Sequence, residues 1–161
     1  MTVQEAYQSL VARLGKRYEL QEARNISEWV MEYVTGQKRV DRLMDRDAPV
    51  PVAQQETLSA ITSELETGKP LQYVLNEAWF AGMKLYVDEN VLIPRPETEE
   101  LVDWIIEENR GKAGLRILDV GTGSGCIAIA LAKALPKDTV RAFDVSEPAL
   151  NIAIRNAMLQ G

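Results

Sequence analysis

The chain has 161 residues, enough for one ordinary domain or two small ones. Its 24 acidic and 18 basic residues leave a formal net charge of -6, a poor balance for binding a phosphate backbone, and the complete lack of histidine excludes an imidazole base or a His-ligated metal. Hydrophobic residues at 46% and charged residues at 26% describe a soluble globular protein. No apolar run approaches the roughly 18 residues of a membrane helix, and Met1 to Glu5 has no signal-peptide pattern. The single Cys126 allows no internal disulfide, which fits a reducing compartment. The expectation is a cytoplasmic monomer with no membrane partner and no direct nucleic-acid partner.

The first part reads as helices. Thr2 followed by Glu5 matches a capping box, and Ala6, Leu10, Val11 and Leu14 form a stripe that Gly15 can end. A second stripe is Ile26, Trp29, Val30, Tyr33 and Val34, closed by Gly36; Trp29 and Tyr33 are expected in the core. A short third helix carries Val40, Leu43 and Met44, with Lys38, Arg39, Arg42 and Arg46 expected on its wet face. Pro49 and Pro51 break the chain, and Leu58, Ile61 and Leu65 form a fourth stripe before Gly68 and Pro70. Residues 1 to about 70 thus pattern as a helical bundle.

The pattern then changes. Trp79 to Val87 is rich in aromatic and branched residues and reads as two short strands around a turn near Gly82. Val91-Leu92-Ile93 reads as a third extended piece leading into Pro94-Arg95-Pro96. Pro96 can open a helix, Glu97, Glu99 and Glu100 suit its positive end, and Leu101, Val102, Ile105 and Ile106 form its apolar face. Leu115 to Val120 is an apolar strand, Gly121 to Gly125 a tight loop, and Ile127 to Leu135 an apolar helix ended by Pro136. Val140 to Phe143 is a second strand ending at Asp144, and Ser146 caps a last helix through Leu150, Ile154 and Met158. Strand, glycine loop, helix, strand, acid and helix make a βαβ unit, so the fold class is α/β.

The glycine loop narrows the ligand. Glycines at 121, 123 and 125 let the backbone turn sharply and approach a ligand, and the helix start offers N–H groups. No Lys-Ser or Lys-Thr follows, so this is no Walker A loop. Asp144, 19 residues after Gly125, is placed to accept from both ribose hydroxyls of an adenosine. Asp119 lies two residues before Gly121. Beside a pyrophosphate its charge is repulsive; beside the ammonium and sulfonium of S-adenosylmethionine it is favourable. A strand-end acid that only caps the loop is the bland alternative for Asp119. Cys126, at the start of an apolar helix, reads as structural.

Asp119-Val120-Gly121-Thr122-Gly123-Ser124-Gly125-Cys126-Ile127-Ala128 resembles the first motif of class I methyltransferases. Leu92-Ile93-Pro94-Arg95-Pro96-Glu97-Thr98-Glu99 resembles the more specific signature of the HemK/PrmC family, the release factor glutamine methyltransferases. Gly68 to Tyr73 and Phe80 to Gly82 are similar to that family's linker, so the resemblance covers essentially the whole chain. It implies methyl transfer from S-adenosyl-L-methionine to the side-chain amide nitrogen of the glutamine in the Gly-Gly-Gln loop of peptide chain release factors. It further implies that Asp119, Gly121, Thr122, Gly123, Ser124 and Gly125 cradle the methionine end and that Asp144 holds the ribose. Pro94 to Glu99 are implied near the methionine end.

The implied layout is an N-terminal helical docking domain over 1–72, a β-hairpin linker over 73–95 and an incomplete Rossmann-like cofactor domain over 96–161. The family's catalytic Asn-Pro-Pro-Tyr is absent from this sequence, so no catalytic residue is assigned, and the chain reads as part of a longer protein, inactive by itself. The alternatives are a class I methyltransferase for another protein glutamine or a nucleic acid base, a non-catalytic cofactor- or partner-binding fragment, and a dinucleotide-dependent oxidoreductase, against which Asp119 speaks.

Overall fold

The computed structural model describes all residues 1–161 and divides into two compact units, Met1–Leu75 and Asn76–Gly161. The first unit is helical: α1 Val3–Leu14, α2 Leu20–Thr35, α3 Arg39–Met44, α4 Val52–Glu66 and α5 Leu71–Leu75. The capping box at the start of α1 is complete. Thr2 Oγ1 accepts from the Glu5 N–H at 3.2 Å, and Glu5 Oε2 accepts from the Thr2 N–H at 2.8 Å. Val3, Ala6, Leu10 and Leu14 of α1 meet Val30 and Met31 of α2 and Leu58, Ile61 and Leu65 of α4 in one core. A two-pronged Arg13–Glu66 pair at 2.9 and 2.7 Å ties α1 to α4 at the surface.

Two expectations are corrected in this unit. Trp29 and Tyr33 are not core residues; they are 51% and 47% exposed. The buried face of α2 is Ala23, Ser27, Val30 and Met31. Both α1 and α4 pack against α2, and such close approach favours small side chains such as Ala23 and Ser27 over aromatic rings. Arg42 is not on a wet face either. It is the buried residue of α3, donating to Glu28 and to the Gln37 carbonyl, while Val40, Leu43 and Met44 are exposed. A buried guanidinium persists where a carboxylate and a carbonyl satisfy it.

The second unit begins with a hairpin, β1 Ala78–Phe80 and β2 Met83–Leu85, in antiparallel register Phe80↔Met83. Its two-residue turn, Ala81-Gly82, has positive φ at both positions (47° and 72°), the backbone that matches strand twist. Phe80, Met83 and Leu85 enter a core shared with Val102 of α6 (Pro96–Asn109) and with Ile129, Ala130 and Leu131 of α7 (Cys126–Ala134). Val91-Leu92-Ile93 joins no sheet; Val91 is buried and Leu92 exposed.

The remaining elements form the βαβ unit: β3 Arg116–Val120, α7, β4 Thr139–Phe143 and α8 Glu147–Gln160. β3 and β4 pair in parallel from Arg116↔Thr139 to Val120↔Phe143, and the chain is α/β. Along β3 the half-buried Ile117 and Asp119 alternate with exposed Arg116, Leu118 and Val120, so one face of the sheet is bare. Ser146 caps α8 by accepting from the Ala149 N–H. α8 runs through Leu150, Ile154 and Met158 as expected; its buried face is Ala149, Ile152, Ala153 and Asn156, and Ile154 and Met158 are exposed.

Candidate functional site

The glycine loop lies at the carboxyl ends of two parallel strands, where open α/β sheets bind ligands. Gly121, Gly123 and Gly125 have φ of 77°, 53° and 81°. The Gly121 and Thr122 N–H groups donate to the Phe143 carbonyl at 2.8 and 3.0 Å, which lashes the loop to the end of β4. The Gly123 N–H donates to Asp144 Oδ2 at 2.9 Å, and the Gly125 N–H to the Thr122 carbonyl at 2.9 Å. These four donors are therefore engaged inside the protein.

Both strand-end carboxylates turn into this loop. Asp119 Oδ2 accepts from the Thr122 hydroxyl at 2.7 Å. Asp144 accepts from Ser146 N–H through Oδ1 at 3.0 Å as well as from Gly123. Hydrogen bonds from the Ser146, Gly123 and Val145 N–H groups outweigh desolvation and hold the Asp144 carboxyl below its ordinary pKa. Each carboxylate oxygen keeps a lone pair after one such bond.

Of the residues singled out in sequence, Asp119, Gly123 and Asp144 are half-buried and Gly121 is exposed. Thr122 and Ser124 are buried, at 5% and 2% exposure; the Thr122 hydroxyl donates to Asp119, and the Ser124 carbonyl accepts from Asn156 of α8. A Cβ added at Gly121 or Gly123 would meet nothing within 4 Å, so there is open space over the first half of the loop. At Gly125 it would lie 3.1 Å from Ala153 Cβ and from Ile129 Cδ1; this glycine serves helix packing. Burial pushes the Cys126 thiol above its ordinary pKa despite a hydrogen bond with Ser124, which suits a structural side chain. Pro94 and Arg95 precede α6, which packs along α7.

The site thus combines open space over two glycines with two carboxylates bonded into the loop. Residues 5–75 match the model of the PrmC N-terminal domain, and residues 97–161 match that of ribosomal protein L11 methyltransferase (PrmA). The release factor glutamine methyltransferase of Flavobacterium psychrophilum is 49% identical over 133 residues, 81% of this chain and 47% of that protein. That of Chlorobaculum tepidum is 43% identical over 148 residues, 88% of this chain and 50% of that protein. That of Streptococcus pneumoniae is 50% identical over 107 residues, 66% of this chain and 38% of that protein. The chain belongs to the release factor glutamine methyltransferase family. It spans about half the length of the first two of these relatives.

One side chain that supports the loop was not singled out in the sequence. Asn156 of α8 is fully buried and bonds to the loop through the Ser124 carbonyl. Its signal was present: Ala149, Ile152, Ala153 and Asn156 follow helical spacing, and a polar residue on an apolar face needs buried partners.

Proposed function

We propose that these residues form the cofactor-binding part of a protein-(glutamine-N5) methyltransferase. S-adenosyl-L-methionine is the methyl donor, and the glutamine of the Gly-Gly-Gln loop of peptide chain release factors is the acceptor. The observation that carries this reading is the pair of carboxylates, Asp119 and Asp144, both bonded into one glycine loop. S-adenosyl-L-methionine supplies, when bound, a methyl group on a positively charged sulfur. Asp144, held ionised by Gly123 and Ser146, uses its remaining lone pairs on the ribose hydroxyls. Asp119 attracts the ammonium of the methionine end, and Gly121 and Gly123 leave room for it. Gly125, Thr122 and Ser124 hold the loop in shape.

In this reading residues 1–72 dock the protein substrate, 73–95 link, and 96–161 bind the cofactor. The protein works in the cytoplasm as a monomer, without membrane or direct nucleic-acid contact. The net charge of -6 weighs against direct nucleic-acid contact, and no helix is long and apolar enough to cross a membrane. The match of 97–161 to a ribosomal protein methyltransferase favours a second reading, in which a ribosomal protein is the acceptor. The match of 5–75 to the PrmC N-terminal domain weighs towards release factors.

Two binding measurements test the proposal. Calorimetry with S-adenosylhomocysteine and with NAD is expected to give binding of the first alone; preference for NAD overturns the cofactor. Equilibrium binding to a Gly-Gly-Gln release factor is expected to exceed binding to ribosomal protein L11, and the reverse order overturns the substrate.

A further inference from the structure

The amide of Asn156 is fully buried and uses three hydrogen bonds. Its Oδ1 accepts from the Tyr86 N–H at 2.7 Å, and its Nδ2 donates to the Tyr86 carbonyl and to the Ser124 carbonyl, both at 2.9 Å. It thus pairs with both backbone groups of Tyr86, as a neighbouring strand would, and reaches the glycine loop with its second proton. Of the common side chains only an amide combines one acceptor with two donors at this reach. Its neighbour Arg155 places its guanidinium 3.5 Å above the Tyr86 ring. Gln160, one turn on, donates to the Lys84 carbonyl at 2.7 Å. Tyr86 leads through the Asp88–Asn90 turn towards Pro94 to Glu99. One helix therefore fastens the hairpin exit, and through Asn156 the same helix fastens the loop.

We propose that Asn156 is a positioning residue that fixes the Gly121–Gly125 loop against the Tyr86 segment, setting the loop in the shape that receives the cofactor. The inference rests on the cofactor reading for its ligand, but the fixing of the loop is measurable without any ligand. Asn156→Leu keeps the branching at Cγ and a helix-forming residue and removes all three hydrogen bonds. Ile152→Ala, one turn back on the same buried face, disturbs packing and removes none of these three hydrogen bonds.

Amide hydrogen exchange and S-adenosylhomocysteine binding are compared in the 161-residue chain and the two variants. In Asn156→Leu the Gly123, Gly125 and Tyr86 amides are expected to exchange at least about tenfold faster relative to the β3–β4 ladder amides, and the dissociation constant to rise about tenfold or more. Ile152→Ala is expected to change all protected amides of the unit together and to leave the ratio of loop to ladder exchange within about threefold of the unmodified chain. Should Asn156→Leu fail to fold, Asn156→Ser, whose hydroxyl can donate to one carbonyl only, carries the same comparison. An unchanged ratio of loop to ladder exchange in the Asn156 variant overturns the proposal. If the unmodified chain binds no S-adenosylhomocysteine, the cofactor reading fails, and the exchange ratio still decides the role of Asn156.

Discussion

Gly125→Ala separates two contributions that a glycine loop normally mixes. Gly125 caps α7 with φ of 81°, and an L residue in left-handed backbone costs about 1–2 kcal/mol. The added methyl would also sit 3.1 Å from Ala153 Cβ and Ile129 Cδ1 and 3.2 Å from Ala153 Cα. Two of those atoms belong to a buried stretch of α8, so the helix must move, at a typical overpacking cost of about 1–3 kcal/mol. The sum is about 2–5 kcal/mol. Gly121→Ala is the control: φ is 77°, but nothing lies within 4 Å, so only the first contribution applies. The difference between the variants, about 1–3 kcal/mol, is the packing contribution alone. Urea unfolding measures it, in a Trp29→Phe background so that fluorescence reports on Trp79 and Trp104 of the second unit. In melting temperature each kcal/mol amounts to about 4–8 °C for a unit of this size. If Gly125→Ala lies within about 0.5 kcal/mol of Gly121→Ala, the close contact of α7 with α8 at this point is refuted.

Asp144 gives a pH dependence with a defined sign. Its folded pKa is depressed below the ordinary 3.8, so its stabilisation is fully present above about pH 4 and lost as pH falls through the folded value. Asp144→Asn is expected to lose that part of the acid sensitivity of the urea midpoint, and an unchanged acid slope refutes it. Cys126 should resist a thiol reagent at pH 8 in the native chain and react fully in urea, and Cys126→Ala should leave S-adenosylhomocysteine affinity within about threefold; fast native labelling contradicts the burial. Residues 1–75 hold their own core and should melt cooperatively in isolation; a broad, non-cooperative transition by circular dichroism counts against an independent unit. The 161-residue chain is expected not to methylate release factor, because none of its residues forms an Asn-Pro-Pro-Tyr group to orient the amide. A radiolabelled methyl-transfer assay beside the Flavobacterium psychrophilum relative tests this, and turnover within about tenfold of that enzyme overturns it.

Capping and punctuation made much of the fold legible. Thr2 with Glu5, Gly36, Pro96 and Ser146 mark helix ends by local chemistry that tertiary packing does not override. Helix rotation was less legible. In α2 the spacing of Ile26, Trp29, Val30, Tyr33 and Val34 supports a stripe, yet the helix turns Ala23 and Ser27 inward because two neighbours approach on that side. Hydrophobicity ranks Trp above Ser, whereas close packing ranks them by size. Arg42 escaped for a related reason: its partner Glu28 is 14 residues away in sequence, and no local pattern joins them.

The site divides along the same line. Glycine spacing and strand-end acids are local, and they located the loop. What supports the loop is not local: the Phe143 carbonyl, Tyr86 and Asn156 come from three other segments. The strands carry a further message that only structure makes readable. Leu118, Val120 and Phe143 are 63%, 68% and 53% exposed, although Leu115 to Val120 is apolar in the manner of a strand covered on both faces. An alternating pattern would have suited a sheet with one wet face; this sequence instead places Leu118 and Val120 on the bare one. Apolar side chains so placed are a patch that binding or further sheet would cover. The loop's own hydrogen bonds run to Asp119 and the Phe143 carbonyl and involve neither exposed side chain. Replacing Leu118 and Val120 with Thr should therefore raise solubility without moving the loop's hydrogen bonds, and faster exchange of the Gly121 and Thr122 amides in that variant would contradict this.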